Sequence, residues 1–148
     1  MRKLLPLLAA LLFSLTTQAG DLPPQLVGIW TTEETVLRGT SLLGGTALYL
    51  SENGKGALVG APLPVMRCPD NSICRPLIGV RLFAVLEEGN GALHITLVTE
   101  DGKSIPLETI YDAKEAVVVI KLGNEENRLV RRSADVPEEF KAVLNGRP

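Results

Sequence analysis

The sequence predicts an all-β fold, an antiparallel up-and-down β-barrel of about eight strands followed by a short C-terminal helix. Apolar and polar residues alternate along the candidate strands, and short turns such as Asn53-Gly54 and Asp101-Gly102 separate them. Apart from the proline-rich segment 61–77, no stretch between these strands is long enough for a parallel crossover. Closure of such a meander into a barrel removes both unpaired edges.

The individual elements follow from this alternation. We expect strands at residues 27–37, 46–51, 56–60, 78–86, 92–98, 104–111, 116–122 and 128–132. Segment 61–77 contains four prolines and both cysteines, so it is expected as an ordered loop outside the sheet. Residues 137–144 suit a helix, because Pro137 fits the first turn and Asp135 or the residue after it can cap it.

Residues 1–19 resemble a secretory signal peptide. Arg2 and Lys3 precede an apolar run, and the small-residue pattern that follows places cleavage between Ala19 and Gly20. The mature chain is then a single domain, residues 20–148, with 13 basic and 17 acidic residues and a net charge of about −4. This balance argues against a nucleic-acid partner. Because position 20 is not cysteine, we expect no stable membrane anchor.

Export implies an oxidising compartment, the periplasm or the cell exterior. The chain has no Asn-x-Ser/Thr sequon, which favours a bacterial host. Cys68 and Cys74 are therefore predicted to form a disulfide, worth roughly 2 to 2.5 kcal/mol for so short a loop. A redox-active pair is the alternative, but that chemistry usually has Cys-x-x-Cys spacing. One histidine and two cysteines are too few for a zinc or iron–sulfur site, so no cofactor is expected.

Gly28-Ile29-Trp30 resembles the Gly-x-Trp motif on the first strand of lipocalins and the wider calycin barrels. In that family an arginine of the last strand packs over the tryptophan and closes one barrel end. The resemblance implies this role for Trp30 with Arg131. Arg128 and Arg132 remain alternatives, because the alternation of side chains along the strand does not show which arginine faces the tryptophan. It further implies that the barrel binds a small apolar or amphipathic ligand.

Leu42 and Leu43 are candidates for the mouth of such a ligand site. They lie between the first two predicted strands and are flanked by Gly39, Gly44 and Gly45, which suit the hinges of an apolar lid. Alternatively, both leucines plug the barrel end, since barrels of this size can be filled by their own side chains.

The disulfide-bonded loop suggests a second function. A proline-rich loop constrained by a covalent bond loses little entropy when it binds a protein. Its candidate contact residues are Met66, Arg67, Asp70, Asn71 and Arg75. These predict an envelope protein–protein interaction module, inhibitor-like or immunity-like, unless the loop only covers a barrel edge.

Evidence for an enzyme is weak in the sequence. His94 is expected on the wetter face of its strand, without a recognisable nucleophile or orienting partner. Glu33 and Glu34 are adjacent on a predicted strand and point to opposite faces, so they do not form a glycosidase pair. We therefore expect a non-enzymatic binding protein.

Overall fold

The structure is a computed structural model that describes residues 21–74 and 78–138. The predicted signal peptide lies outside these residues, as does the predicted helix apart from its first two positions. The described residues form the strands β1 (Gly28–Thr31), β2 (Val36–Arg38), β3 (Ser41–Leu50), β4 (Lys55–Ala61), β5 (Met66–Arg67), β6 (Ile73–Cys74), β7 (Ile78–Leu86), β8 (Leu93–Val98), β9 (Ser104–Leu107), β10 (Thr109–Asp112), β11 (Val117–Leu122) and β12 (Glu125–Ser133).

Nine of these strands form one antiparallel path in the order β10-β11-β12-β1-β3-β4-β7-β8-β9, and β2 pairs with β3 beside it. The path curls on itself, so that β10 lies close to β8 and β11 close to β9. Near the seam, the Lys121 amide donates a hydrogen bond of 3.0 Å to the Glu108 carbonyl. The fold is a nearly closed antiparallel barrel. In it, the first strand of the chain, β1, pairs with the last strand, β12.

The strand count exceeds the predicted eight because two predicted strands are divided. Residues 27–37 break into β1 and β2 at a turn, where the Thr35 hydroxyl bonds both the amide and the carbonyl of Thr46 at 3.1 Å. Residues 104–111 break at Glu108 into β9 and β10. Within the segment expected as a loop, Ala61 still belongs to β4, whereas residues 62–74 stay off the main sheet and contain the small hairpin β5–β6.

The barrel interior is packed with apolar side chains. Trp30 is fully buried among them and meets Tyr111 edge to face, with ring centroids 6.3 Å apart. The other buried members of this interior cluster are Leu22, Leu26, Leu48, Leu50, Leu82, Ala84, Leu93, Ile95, Val118, Ile120 and Leu129. Burial on this scale is the main stabilising contribution to the sheet.

A second apolar cluster covers the outer face of β1, β3 and β4. Ile29 and Tyr49 are its largest fully buried members. Its remaining buried residues are Leu42, Ala47, Ala57, Val59 and Val136. Because Val136 follows β12, the chain beyond the last strand returns over this face of the barrel. This part of the sheet is therefore buried on both sides.

Candidate binding site

The two ends of the barrel differ in how well they are covered. Residues 21–27, here called the lead segment, close one end: Leu22 and Leu26 are buried, and the Leu22 amide bonds the Glu52 carbonyl at 2.7 Å. The connections β1–β2, β4–β7, β8–β9 and β11–β12 lie at the opposite end. We call this second end the open end, because its inward-facing side chains are exposed.

Three apolar side chains form the rim of the open end. Ile78, Ile105 and Leu122 are 78%, 49% and 37% exposed. Strand register places all three on the inward face. For example, Ile105 pairs with Leu97 of β8, and Leu97 pairs in turn with Leu82, which is buried in the barrel interior. Apolar residues on the inner face of a barrel are normally buried, so this exposure marks the open end as an unusual surface.

Below the rim, the barrel is filled by its own side chains. Leu82, Ile95 and Ile120 are each at most 2% exposed and belong to the interior cluster. The open end is thus a shallow apolar surface above a packed core in the described residues. The surface of the open end can contact another molecule, whereas apolar side chains of the barrel occupy the interior beneath it.

The hairpin β5–β6 stands at the same end, between β4 and β7. Its turn is held by backbone hydrogen bonds from the Cys68 amide to the Ser72 carbonyl at 2.8 Å and from the Asn71 amide to the Cys68 carbonyl at 2.9 Å. Asn71 has a φ of 66°, a left-handed conformation that asparagine tolerates. The turn is therefore well ordered by local bonds as well as by any covalent link.

Polar side chains add to this order. The Ser72 hydroxyl and amide both donate to the Asp70 carboxylate, and these hydrogen bonds lower the pKa of Asp70 below its ordinary value. Arg67 donates to the Asn71 side-chain oxygen at 3.2 Å. These three predicted contact residues thus support the turn, while Met66 exposes 48% of its surface.

The described residues include the side chain of only one of the two cysteines predicted to form a disulfide. Cys68 has no free thiol. The Cys74 side chain and Arg75 lie outside the described residues, and a bond between the two cysteines remains a prediction. Residues 66 and 74 face each other in the hairpin, with the two cysteines near its turn.

The predicted lid of Leu42 and Leu43 is corrected by the structure. Residues 38–45 belong largely to the β2–β3 hairpin, in which Arg38 pairs with Ser41. Leu42 is 2% exposed and packs in the outer cluster, whereas Leu43 is half-buried. The strands extend past the predicted boundary because β2 supplies a hydrogen-bonding partner, so Leu42 is a core residue rather than a ligand-mouth residue.

Trp30 and Arg131 lie at the closed end and are paired across β1 and β12. The Trp30 indole N–H donates to the Leu26 carbonyl at 3.0 Å. The Arg131 guanidinium donates from Nε to the Val27 carbonyl at 3.0 Å and from Nη2 to the Pro24 carbonyl at 2.8 Å. Of the alternatives, Arg128 instead pairs with Glu115, and Arg132 is exposed.

An acidic groove of about 430 Å³ descends from the open end along β12. Glu33 and Glu34 of the β1–β2 turn form one side, and Glu126, Arg128 and Val130 contribute from β12. Arg128 is directed to Glu115, with Nη2 and Oε2 2.9 Å apart. The groove opens on the outer face of the sheet, where Glu126 pairs in register with Lys121, so basic side chains lie beside its carboxylates.

His94 is exposed, as expected from its position on β8. Its Nε2 lies 2.7 Å from a carboxylate oxygen of Glu87, across the β7–β8 turn. This hydrogen bond lowers the pKa of Glu87 below its ordinary value. No cluster of three or more His, Cys, Asp or Glu side chains suited to a metal ion occurs in the described residues.

Sequence reasoning missed the rim residues as a group. The alternation of residues 78–86 does place Ile78 on the inward face. Alternation alone does not show how far an inward-facing residue lies from the end of the barrel. Ile105 and Leu122 follow the same pattern on strands far away in sequence. Only the staggering of the strands reveals that all three lie where the barrel is uncovered.

No family model and no curated protein matches this chain. Among solved structures, it is similar to the lipoprotein YedD from Klebsiella pneumoniae, with 14% sequence identity and a TM-score of 0.46. The match covers 84% of this chain and 86% of that chain. Within the described residues, no helix has the length and apolar character required to cross a membrane.

Proposed function

We propose that this chain is an exported, non-enzymatic binding protein of the periplasm or cell exterior, and that its open end binds an envelope protein. The observation that carries the proposal is the exposed apolar rim of Ile78, Ile105 and Leu122 beside an ordered hairpin. Exposed apolar surface concentrated at one place is typical of interaction sites. Met66 extends this surface onto the hairpin.

A protein partner fits this end better than an enclosed ligand does. Small-molecule sites are usually concave and bury most of the ligand. Here the residues below the rim are packed against one another, which supports contact with a surface rather than entry of a whole molecule. The hairpin turn is ordered before binding, so little conformational entropy is lost on association.

A small apolar or amphipathic ligand is the second candidate, in keeping with the resemblance to lipocalins. The observation that favours it is the inward orientation of the rim, where Ile105 continues the apolar face of Leu97. Such a ligand would place only its apolar part at the rim and keep its polar part in solvent.

Site-specific photo-cross-linking in the host tests the proposal. A photoreactive amino acid at position 78 should give one discrete protein adduct, whereas the same group at Ile110, 65% exposed on the outer wall, should not. The purified partner should bind the mature chain in vitro, and Ile105→Ser should weaken that binding. Equal adducts at both positions, or no adduct at position 78, would contradict a protein partner.

Native mass spectrometry of protein purified from the host distinguishes the second candidate. A bound lipid or other small molecule that is lost in Ile105→Ser and retained in Ile110→Ser supports ligand binding at the rim. A ligand retained equally in both variants argues against the rim as its site.

A further inference from the structure

We propose that Met66 is a site of reversible oxidation, at which hydrogen peroxide converts the thioether to a sulfoxide and thereby weakens the binding of a partner to the open end. The oxidation follows from the exposure and the chemistry of Met66. Its effect on binding rests on the proposed function, and each of the two parts has its own measurement.

Met66 is the most accessible oxidation-prone side chain that the structure describes. Methionine, cysteine and tryptophan are the side chains that oxidants attack most readily, and attack requires exposure. Met66 exposes 48% of its surface, whereas Trp30 is fully buried. Cys68 has no free thiol to compete for the oxidant. The predicted mature chain holds no other methionine, since Met1 belongs to the predicted signal peptide, so oxidation is directed to one thioether.

Met66 also lies at the end of the barrel that carries the exposed apolar rim. The chain leaves β4 at Ala61 and returns to the sheet at Ile78, the most exposed residue of the rim. Met66 lies on the hairpin between these two points, where its pairing with Cys74 fixes the position of its backbone. Leu63, 42% exposed, lies in the same connection. Met66 is therefore part of the apolar surface that a partner of the open end would cover.

The oxidation transfers one oxygen atom and two electrons. A lone pair of the Met66 Sδ attacks one oxygen of hydrogen peroxide, and the O–O bond breaks. The departing hydroxide takes the proton from the transferred oxygen and becomes water, so sulfur is oxidised and the peroxide is reduced. A methionine sulfoxide reductase reverses the change, because two thiols are oxidised to a disulfide while the oxygen leaves as water.

The sulfoxide makes this part of the hairpin polar. Oxidation converts a flexible apolar side chain into a polar one, and a partner that covers it must remove water from the sulfoxide oxygen. We expect the affinity for the partner to fall about tenfold. The fold should be unaffected, because Met66 belongs to neither of the two apolar clusters.

Mass spectrometry of the mature chain treated with hydrogen peroxide tests the oxidation. One oxygen atom should be added at Met66, at a rate close to that of a short methionine-containing peptide and before Trp30 is modified. Purified methionine sulfoxide reductase with a thiol should remove this oxygen. The proposal is overturned if Met66 stays reduced while the reference peptide is oxidised.

Binding of the purified partner before and after peroxide treatment tests the regulatory effect. Met66→Leu should bind as the unaltered chain does and become insensitive to peroxide, whereas Met66→Gln should bind as weakly as the sulfoxide. The matched control combines Met66→Leu with Ile110→Met, which places a methionine on the outer wall at a position that is 65% exposed. This control should take up one oxygen and keep its affinity; an equal loss of affinity in the control and the unaltered chain would contradict a switch at Met66.

The outcomes separate this inference from the proposed function. If cross-linking at position 78 identifies a partner whose affinity is unchanged by oxidation of Met66, the switch is wrong and the proposed function stands. If position 78 gives no adduct, the proposed function fails, and a fluorescent dye that binds apolar surfaces becomes the readout. Oxidation should then lower dye binding to the unaltered chain and leave Met66→Leu unchanged, and equal dye binding before and after oxidation would overturn the inference.

Discussion

Trp30 and Arg131 face each other across β1 and β12, and both side chains donate hydrogen bonds to the backbone of the lead segment. The indole bonds the Leu26 carbonyl, and the guanidinium bonds the carbonyls of Pro24 and Val27. Together they satisfy three acceptors of an irregular segment that has no strand partner. The closed end of the barrel is thus built in part from the chain's own N-terminal residues.

We expect Arg131→Lys to destabilise the protein by about 1 to 3 kcal/mol, because a lysine cannot bond two separate carbonyls with a planar fork. Chemical denaturation measures the loss. Arg132→Lys is the matched control on the same strand, since Arg132 is exposed and should change stability by less than about 0.5 kcal/mol. Equal effects of the two substitutions would show that the hydrogen bonds to the lead segment are unimportant.

Thr31→Val should stabilise the protein by about 1 kcal/mol. Thr31 is fully buried, and its hydroxyl oxygen has no hydrogen-bond partner in the described residues, so an isosteric methyl group removes a desolvation cost. Thr35→Val should do the opposite, because the Thr35 hydroxyl bonds Thr46 and Thr32. Thermal melts compare the pair; a lower melting temperature for Thr31→Val would reveal a partner for its hydroxyl.

Gly28→Ala should destabilise the barrel by more than about 2 kcal/mol. Gly28 has a φ of 134°, and an added Cβ would lie 2.0 Å from the Ser133 carbonyl oxygen. Gly60→Ala is the control, because nothing lies within 4 Å of a Cβ at that position. Urea unfolding should separate the two variants clearly, and a tolerated Gly28→Ala would mean that β1 and β12 move apart easily.

The Glu87–His94 pair makes a small, pH-dependent contribution to stability. Because the pKa of Glu87 is lowered in the folded protein by its hydrogen bond with His94, the stabilisation is present above the ordinary Glu range and disappears as the pH falls through that lowered pKa. NMR titration should show the Glu87 pKa returning towards its ordinary value in His94→Ala. An unchanged Glu87 pKa in the variant would contradict the interaction.

Much of the barrel was predictable from local patterns. Residues 78–86 and 92–98 alternate regularly, and Asn53-Gly54 and Asp101-Gly102 provide residues that accept the left-handed turns, with φ of 76° and 81° at the glycines. The split at Glu108 was not predictable, because residues 104–111 read as one apolar strand. At the break, the Glu108 carbonyl accepts a hydrogen bond from the Lys121 amide, which belongs to a strand distant in sequence.

The candidate site was less predictable than the fold. Leu42 is apolar and flanked by glycine, which suggested an accessible lid, yet β2 and the outer cluster bury it. The sequence predicts an ordered loop where Met66 lies, but nothing in it identifies Ile78, Ile105 and Leu122 as the exposed apolar residues of the same barrel end. Burial depends on what packs against a residue, and that information comes from other parts of the chain.

By itself, the sequence determined the antiparallel strands, their turns and the placement of residues 62–74 outside the main sheet, because backbone preferences and alternation act over a few residues. The tertiary structure decided which end of the barrel is closed, which inward-facing residues stay exposed and where acidic side chains meet. The physical reason is that these features arise from strand stagger and long-range pairing, such as Trp30 with Arg131 and Leu122 with Glu125.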